Sequence, residues 1–318
     1  MTRYLVLCLL LTTVPGPPVR AGFGADIAAH LMQVGLSLDD PSISPADAAP
    51  DQAKSCAGVS FSRNLKYGAS ELNVLDVASP GSDPGQTSPR PVLLFVAGES
   101  FTGENGTPDA ANAEMQDAAM CFAALNGMVG VRMTYRLAPA NPWPAGARDV
   151  AAATSWIHQN IDLFGGSRDQ IVAIGYSVGA FHVASLLAHP EFQDRDANVA
   201  GAVLVSGIYR LSADASEAEK SYFGADVSKY DQRSVFPGIL NIETPILLAW
   251  SVVDSPRLVT QGEKLKALLC NSATHCPHTT LLKKRESLSS IFEIDAPGES
   301  LAQPTLELVR EIETRGLP

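Results

Sequence analysis

The chain has 318 residues, 46% of them hydrophobic and 18% charged, with 34 acidic against 23 basic side chains and a formal charge of −11. That apolar fraction excludes a disordered chain, and the length accommodates one large core or two modest ones. The acidic balance argues against recognition of nucleic acid or anionic lipid by bulk charge.

Met1 to Ala21 reads as a secretory leader. Arg3 supplies the positive end, Leu5 to Leu11 the short apolar run, and Val19 and Ala21 the small residues of a cleavage site. The run is well short of the roughly 20 residues a spanning helix needs. The expectation is a secreted or periplasmic protein, free of the membrane once the leader is cleaved. Cleavage removes Cys8 and leaves Cys56, Cys121, Cys270 and Cys276. An even number in an oxidising compartment suggests two disulfides. Cys270 and Cys276 enclose only Asn271 to His275 and form the first expected pair; Cys56 with Cys121 follows by elimination. A Cys/His metal site competes, because His275 and His278 flank Cys276. The C-x5-C spacing matches no usual zinc pattern, so no metal is expected.

Residues 22–66 read as an N-terminal lead-in, with a short helical pattern from Asp26 to Val34 and then a stretch rich in Pro, Asp and Ala. From 67 to 318 the pattern is that of one domain. Apolar runs occur at Pro91–Val96, Val129–Tyr135, Gln170–Gly175, Val199–Val205, Pro245–Trp250 and Thr279–Leu282. Helical periodicity fills the intervals at 109–125, 146–162, 178–188, 257–269 and 303–315. Strands apolar on both faces, each followed by a helix, predict an α/β fold: a mainly parallel central sheet with helices on both faces. The polar stretch 211–241 reads as a small irregular cap excursion over the C-terminal edge of the sheet, where such sheets carry ligand sites.

Gly175-Tyr176-Ser177-Val178-Gly179 fits G-x-S-x-G between a predicted strand and a predicted helix. That context marks a nucleophile elbow, in which small residues let the chain turn sharply and present the serine at a helix N-terminus.

Further motifs resemble those of the α/β-hydrolases, specifically the bacterial carboxylesterase type related to hormone-sensitive-lipase-like and feruloyl-esterase-like enzymes. Tyr135-Arg136-Leu137-Ala138-Pro139, then Pro142-Trp143-Pro144 and Asp149-Val150, is very similar to a signature of that type. Phe164-Gly165-Gly166 with Asp169, and Tyr222-Phe223-Gly224 with Tyr230, resemble two others. The likeness implies a serine hydrolase without cofactor, acting on a small-molecule ester or acyl ligand. Ser177 would attack the carbonyl, and Asp254, just after the strand ending at Trp250, would orient a catalytic histidine.

Two family positions depart from the pattern. The oxyanion loop, His-Gly-Gly-Gly in relatives, is here Ala97-Gly98-Glu99-Ser100-Phe101. Backbone N–H groups of Gly98, Glu99 and Ser100 could still donate together with that of Val178. The family's triad histidine precedes S-x-V-x-x-I. Here Ser287-Leu288-Ser289-Ser290-Ile291-Phe292-Glu293-Ile294 fills that register, so Ser287 stands at the histidine position. None of His30, His158, His182, His189, His275 and His278 falls there. The resemblance therefore implies weak or atypical ester hydrolysis. The alternatives are a catalytically inactive homologue that binds a small molecule or protein, and a secreted structural module.

Overall fold

Alternate residues of the central strands divide between two separate apolar layers. The computed structural model describes residues 56–81, 88–98, 100–103, 110–192, 198–272, 276–282 and 300–315. The leader, most of the lead-in, Glu99, His275 and Ser287 lie outside the described residues. Strand β3 (Arg90–Val96) sends Val92, Leu94 and Val96 to one layer and Leu93 and Phe95 to the other. The same division holds in β5 (Gly166–Tyr176), β6 (Gly201–Val205) and β7 (Ile246–Ser251). A period of two with both faces apolar is the mark of a sheet covered on each side.

The first layer packs against helices α2 (Ala145–Asn160), α3 (Val178–Ala188) and α6 (Pro256–Ser272). The second packs against α1 (Ala110–Leu125) and α7 (Ala302–Arg315). All eleven residues of α3 are buried, which is why its sequence lacks an amphipathic stripe.

The sheet has eight strands in the order β1-β2-β4-β3-β5-β6-β7-β8. Strand β4 (Val129–Met133) and every strand from β3 to β8 (His278–Leu282) pair in parallel, while β1 (Val59–Lys66) and β2 (Val74–Pro80) add an antiparallel edge. These two strands escape the sequence pattern, and residues 59–66 belong to the sheet rather than to a lead-in. The reason is visible in β1, whose Ser62, Arg63, Asn64 and Lys66 dilute any apolar run in a half-exposed edge strand.

Both expected disulfides form, Cys56 with Cys121 and Cys270 with Cys276. The first ties the start of the described chain to α1; the second links the end of α6 to the approach to β8.

The stretch 211–241 is more ordered than its polarity suggests. It contains α4 (Glu217–Phe223) and α5 (Tyr230–Arg233). Ser216 caps α4 by accepting from the Glu219 N–H, and the Glu219 carboxylate accepts from the Ser216 N–H in return. Tyr222, Phe223 and Tyr230 are buried.

Candidate active site

Ser177 lies between β5 and α3, at the N-cap of the helix, with φ +50° and ψ −112°, a positive-φ conformation that costs energy in any residue but glycine. The surroundings hold it there. Its N–H donates to Val205 O at 2.8 Å, and its carbonyl accepts from the Ala180 N–H at 3.1 Å. The flanking glycines are steric requirements: a Cβ on Gly179 would lie 2.1 Å from Val96 O, and one on Gly175 2.5 Å from Ala180 Cα. The serine itself is partly exposed. Val178 is the first residue of α3, and the leading N–H groups of a helix lack partners within it.

The loop leaving β3 runs directly beneath this turn. A Cβ on Gly98 would lie 1.8 Å from Tyr176 O and 2.8 Å from the Ser177 Cβ. The one glycine retained from the family's glycine run is thus the one in contact with the elbow. Beyond it the Ser100 hydroxyl accepts from the Thr102 N–H at 3.2 Å. The signature Tyr135–Pro139 braces this loop from both sides. Tyr135 Oη donates to Ala97 O at 2.9 Å, and the Ala138 N–H donates to Phe101 O at 2.9 Å. The signature is fixed in turn by Asp149, whose carboxylate accepts from the Arg136 N–H at 2.8 Å and from its guanidinium at 2.7 Å.

Asp254 follows β7 and is buried. Its Oδ2 accepts two bonds, from Ser206 Oγ at 2.6 Å and from the Ser251 N–H at 2.8 Å. Ser177, Ser206 and Asp254 therefore sit at the C-terminal ends of three adjacent parallel strands, β5, β6 and β7. No sequence motif marks Ser206. The signal was a polar residue ending an all-apolar strand, which by itself reads as a turn.

The excursion packs on the same region. The Phe101 ring stacks on Tyr222 at 5.0 Å and meets Phe223 edge-on at 4.9 Å. The Gly146 N–H donates to Tyr222 Oη at 3.0 Å, and the Trp143 N–H to Tyr222 O at 2.8 Å. The proline-flanked Trp143 segment thus anchors the excursion to α2.

Each described histidine is engaged elsewhere. His182 lies on α3 among Phe101, Tyr135, Phe181 and Tyr222, and complete burial pushes its imidazole down to about 3. His189 Nε2 is 3.1 Å from Ser234 O, and His158 Nε2 is 4.0 Å from Asp169 Oδ1. His278 begins β8, pairs in register with Leu247 near the start of β7, and lies 3.3 Å from Glu311 Oε2. That is the sheet edge opposite Asp254. A cavity of about 350 Å³ between Thr244, Leu269, Glu311 and Arg315 opens at that far edge, away from Ser177. Among the described residues no group of three or more His, Cys, Asp or Glu is placed to hold a metal ion.

Comparison with known proteins converges on the same class. Residues 75–218 match the BD-FAE family. Esterase LipC of Mycobacterium tuberculosis is 31% identical over 170 residues, covering 51% of this chain and 40% of LipC. Esterase LipQ of the same organism is 30% identical over 214 residues, covering 63% and 48%. The chain spans less than half the length of these curated relatives. Esterase B from Lactobacillus rhamnosis superposes with a TM-score of 0.67 at 16% identity, over 92% of this chain and 94% of that one. Carboxyl esterase 2 from Tuber melanosporum gives 0.66 at 15%, over 92% and 98%. Strand order and structural neighbours together show the α/β-hydrolase fold. Within that fold the family match and the curated relatives, which are named esterases, make the chain similar to the bacterial carboxylesterase type.

Proposed function

We propose that the protein is a serine hydrolase of small carboxylic esters, with Ser177 as nucleophile, Asp254 as the triad acid and turnover well below that of a complete triad. The observation that carries this reading is the strained turn at Ser177, pressed against Gly98 and flanked by the buried Asp254 at the end of β7. Strain kept in place by surrounding packing is characteristic of residues that act.

In this reading Ser177 Oγ bonds to the ester carbonyl carbon, and the carbonyl oxygen takes the negative charge. The Val178 N–H, at the positive end of α3, and a backbone N–H of the Gly98–Glu99–Ser100 loop stabilise that oxyanion. The C–O bond to the alcohol then breaks, the alcohol takes a proton, and water releases the acid from the acyl-serine. The weak step is removal of the Ser177 proton. Ser287 stands at the family's histidine position, and a hydroxyl is a far poorer base than imidazole near pH 7. Loss of one triad member typically leaves about 10³–10⁴-fold acceleration over water. The two disulfides suit an oxidising compartment, in keeping with export on the Met1–Ala21 leader.

The test is hydrolysis of p-nitrophenyl acetate and butyrate by the wild type, Ser177→Ala and Ser287→His. Slow turnover abolished in Ser177→Ala, with a gain of at least tenfold in Ser287→His, supports the reading. Turnover indifferent to Ser177 refutes it and favours the inactive binding homologue. A fluorophosphonate label gives a second readout: slow modification of the wild type, faster in Ser287→His, none in Ser177→Ala.

A further inference from the structure

The geometry points to Ser206 as a positioning residue of the hydrolytic site, one that orients the Asp254 carboxylate through a hydrogen bond; this role rests on the nucleophile reading above. Three observations carry it. First, the Ser206 hydroxyl reaches Asp254 Oδ2 at 2.6 Å with both residues buried, 4% and 7% exposed. That is the length of a charge-assisted O–H···O⁻ bond, about twice the strength of a neutral one. Second, Ser206 holds φ +50°, the same positive value as Ser177. Its N–H is fixed to Ala249 O at 2.9 Å. The backbone is thus held in a costly conformation that turns the chain immediately after β6, where an ordinary strand exit would continue extended.

Third, the register places this serine between the two groups of the site. Tyr176 pairs with Val205, so Ser177 and Ser206 are the next residues on neighbouring parallel strands, with strand axes about 5 Å apart. Val205 O also accepts the Ser177 N–H. One short segment, Val205-Ser206, therefore grips the nucleophile by its backbone and the acid by its side chain. Together with the Ser251 N–H on the same oxygen, the Ser206 hydroxyl fixes the rotation of the carboxylate and leaves its orientation independent of the solvent.

Ser206→Gly is the informative variant. Glycine adopts φ +50° without strain, so the substitution removes the hydroxyl while preserving the turn. In the p-nitrophenyl acetate assay the substitution is made in the Ser287→His protein, which supplies the histidine that Asp254 would orient, alongside Ser287→His alone and Ser177→Ala. There kcat is expected to fall about tenfold with KM within twofold and an unchanged circular-dichroism spectrum. With Asp254→Asn added, the same substitution is expected to change kcat by less than twofold, since the group it orients is already altered. A Ser177-dependent Ser287→His enzyme that keeps full kcat with Ser206→Gly overturns the positioning role alone. So does a Ser206→Gly effect of equal size in both backgrounds, which a purely structural role would give. Wild-type turnover that survives Ser177→Ala overturns the nucleophile reading and the role of Ser206 with it.

Discussion

Glu219 and Arg257 form a bidentate ion pair, 2.8 and 2.9 Å, that fastens α4 of the excursion to the first turn of α6, three residues after Asp254. The Glu219 side chain is 3% exposed and Arg257 32%. Removing the partner of a buried charge costs more than the pair contributes, because the remaining carboxylate stays desolvated. Arg257→Ala is expected to destabilise the protein by about 1–3 kcal/mol, between the values for exposed and fully buried pairs because the arginine is partly solvated. Glu219→Gln, which keeps an acceptor for the Ser216 N–H, should cost less. Urea unfolding midpoints of the two variants decide it, and equal losses would contradict the argument.

The two disulfides close loops of very different length, 65 residues for Cys56–Cys121 and 6 for Cys270–Cys276. Loop-closure entropy then assigns about 4 kcal/mol to the first and about 2 kcal/mol to the second. Cys56→Ala/Cys121→Ala is expected to lower the thermal midpoint clearly more than Cys270→Ala/Cys276→Ala. Calorimetry of both double variants tests the order; a reversed order would show that local packing, and not chain entropy, sets their contribution.

His182 carries a pH dependence whose sign follows from burial. Its folded imidazole is pushed from the ordinary 6.5 to about 3 by desolvation. Above pH 6.5 both folded and unfolded forms are neutral, and the group contributes nothing to the slope. Between 6.5 and 3 the unfolded chain binds a proton that the folded chain excludes, so stability falls as pH falls, by about 1.4 kcal/mol per unit well inside that window. The difference in unfolding free energy between pH 7.5 and pH 5 is expected to shrink by about 2 kcal/mol in His182→Leu. Guanidinium titrations at the two pH values measure it, and an unchanged difference would place the acid sensitivity elsewhere.

Gly98→Ala probes the contact between the β3 loop and the elbow. The added methyl would stand 1.8 Å from Tyr176 O, a backbone atom that cannot swing aside. Overpacking of this kind costs about 1–3 kcal/mol, and relief requires the loop to move off Ser177. The expected outcome is a lower urea midpoint together with loss of Ser177-dependent hydrolysis beyond what unfolding explains. Full activity at an unchanged midpoint would mean that the loop donates nothing to the reaction.

The parallel strands, their helices and the turn at Ser177 were legible because each is local: continuous apolar runs such as Pro91–Val96, and a glycine-framed serine between a strand and a helix. Edge strands β1 and β2 were not: in β1, Arg63 and Asn64 are exposed, and the polar run from Ser62 to Asn64 leaves no periodic signal. The excursion reads as polar and irregular because its charged residues outnumber the few aromatics, Tyr222, Phe223 and Tyr230, that fasten it to the core.

The sequence by itself determined the order of the parallel strands and their helices, the strand-to-helix turn at Ser177, both cysteine pairings and the carboxylesterase resemblance, because these follow from periodicity, spacing, count and motif. Only the tertiary structure decided which residues share the end of the sheet. Ser206 and Asp254 are 48 positions apart and meet through strand register. The histidines at 182, 189 and 278 go to the aromatic core, to the end of α3 and to the far edge of the sheet. Contacts of that kind depend on which strands lie side by side, and no local pattern in a chain encodes its neighbours across a sheet.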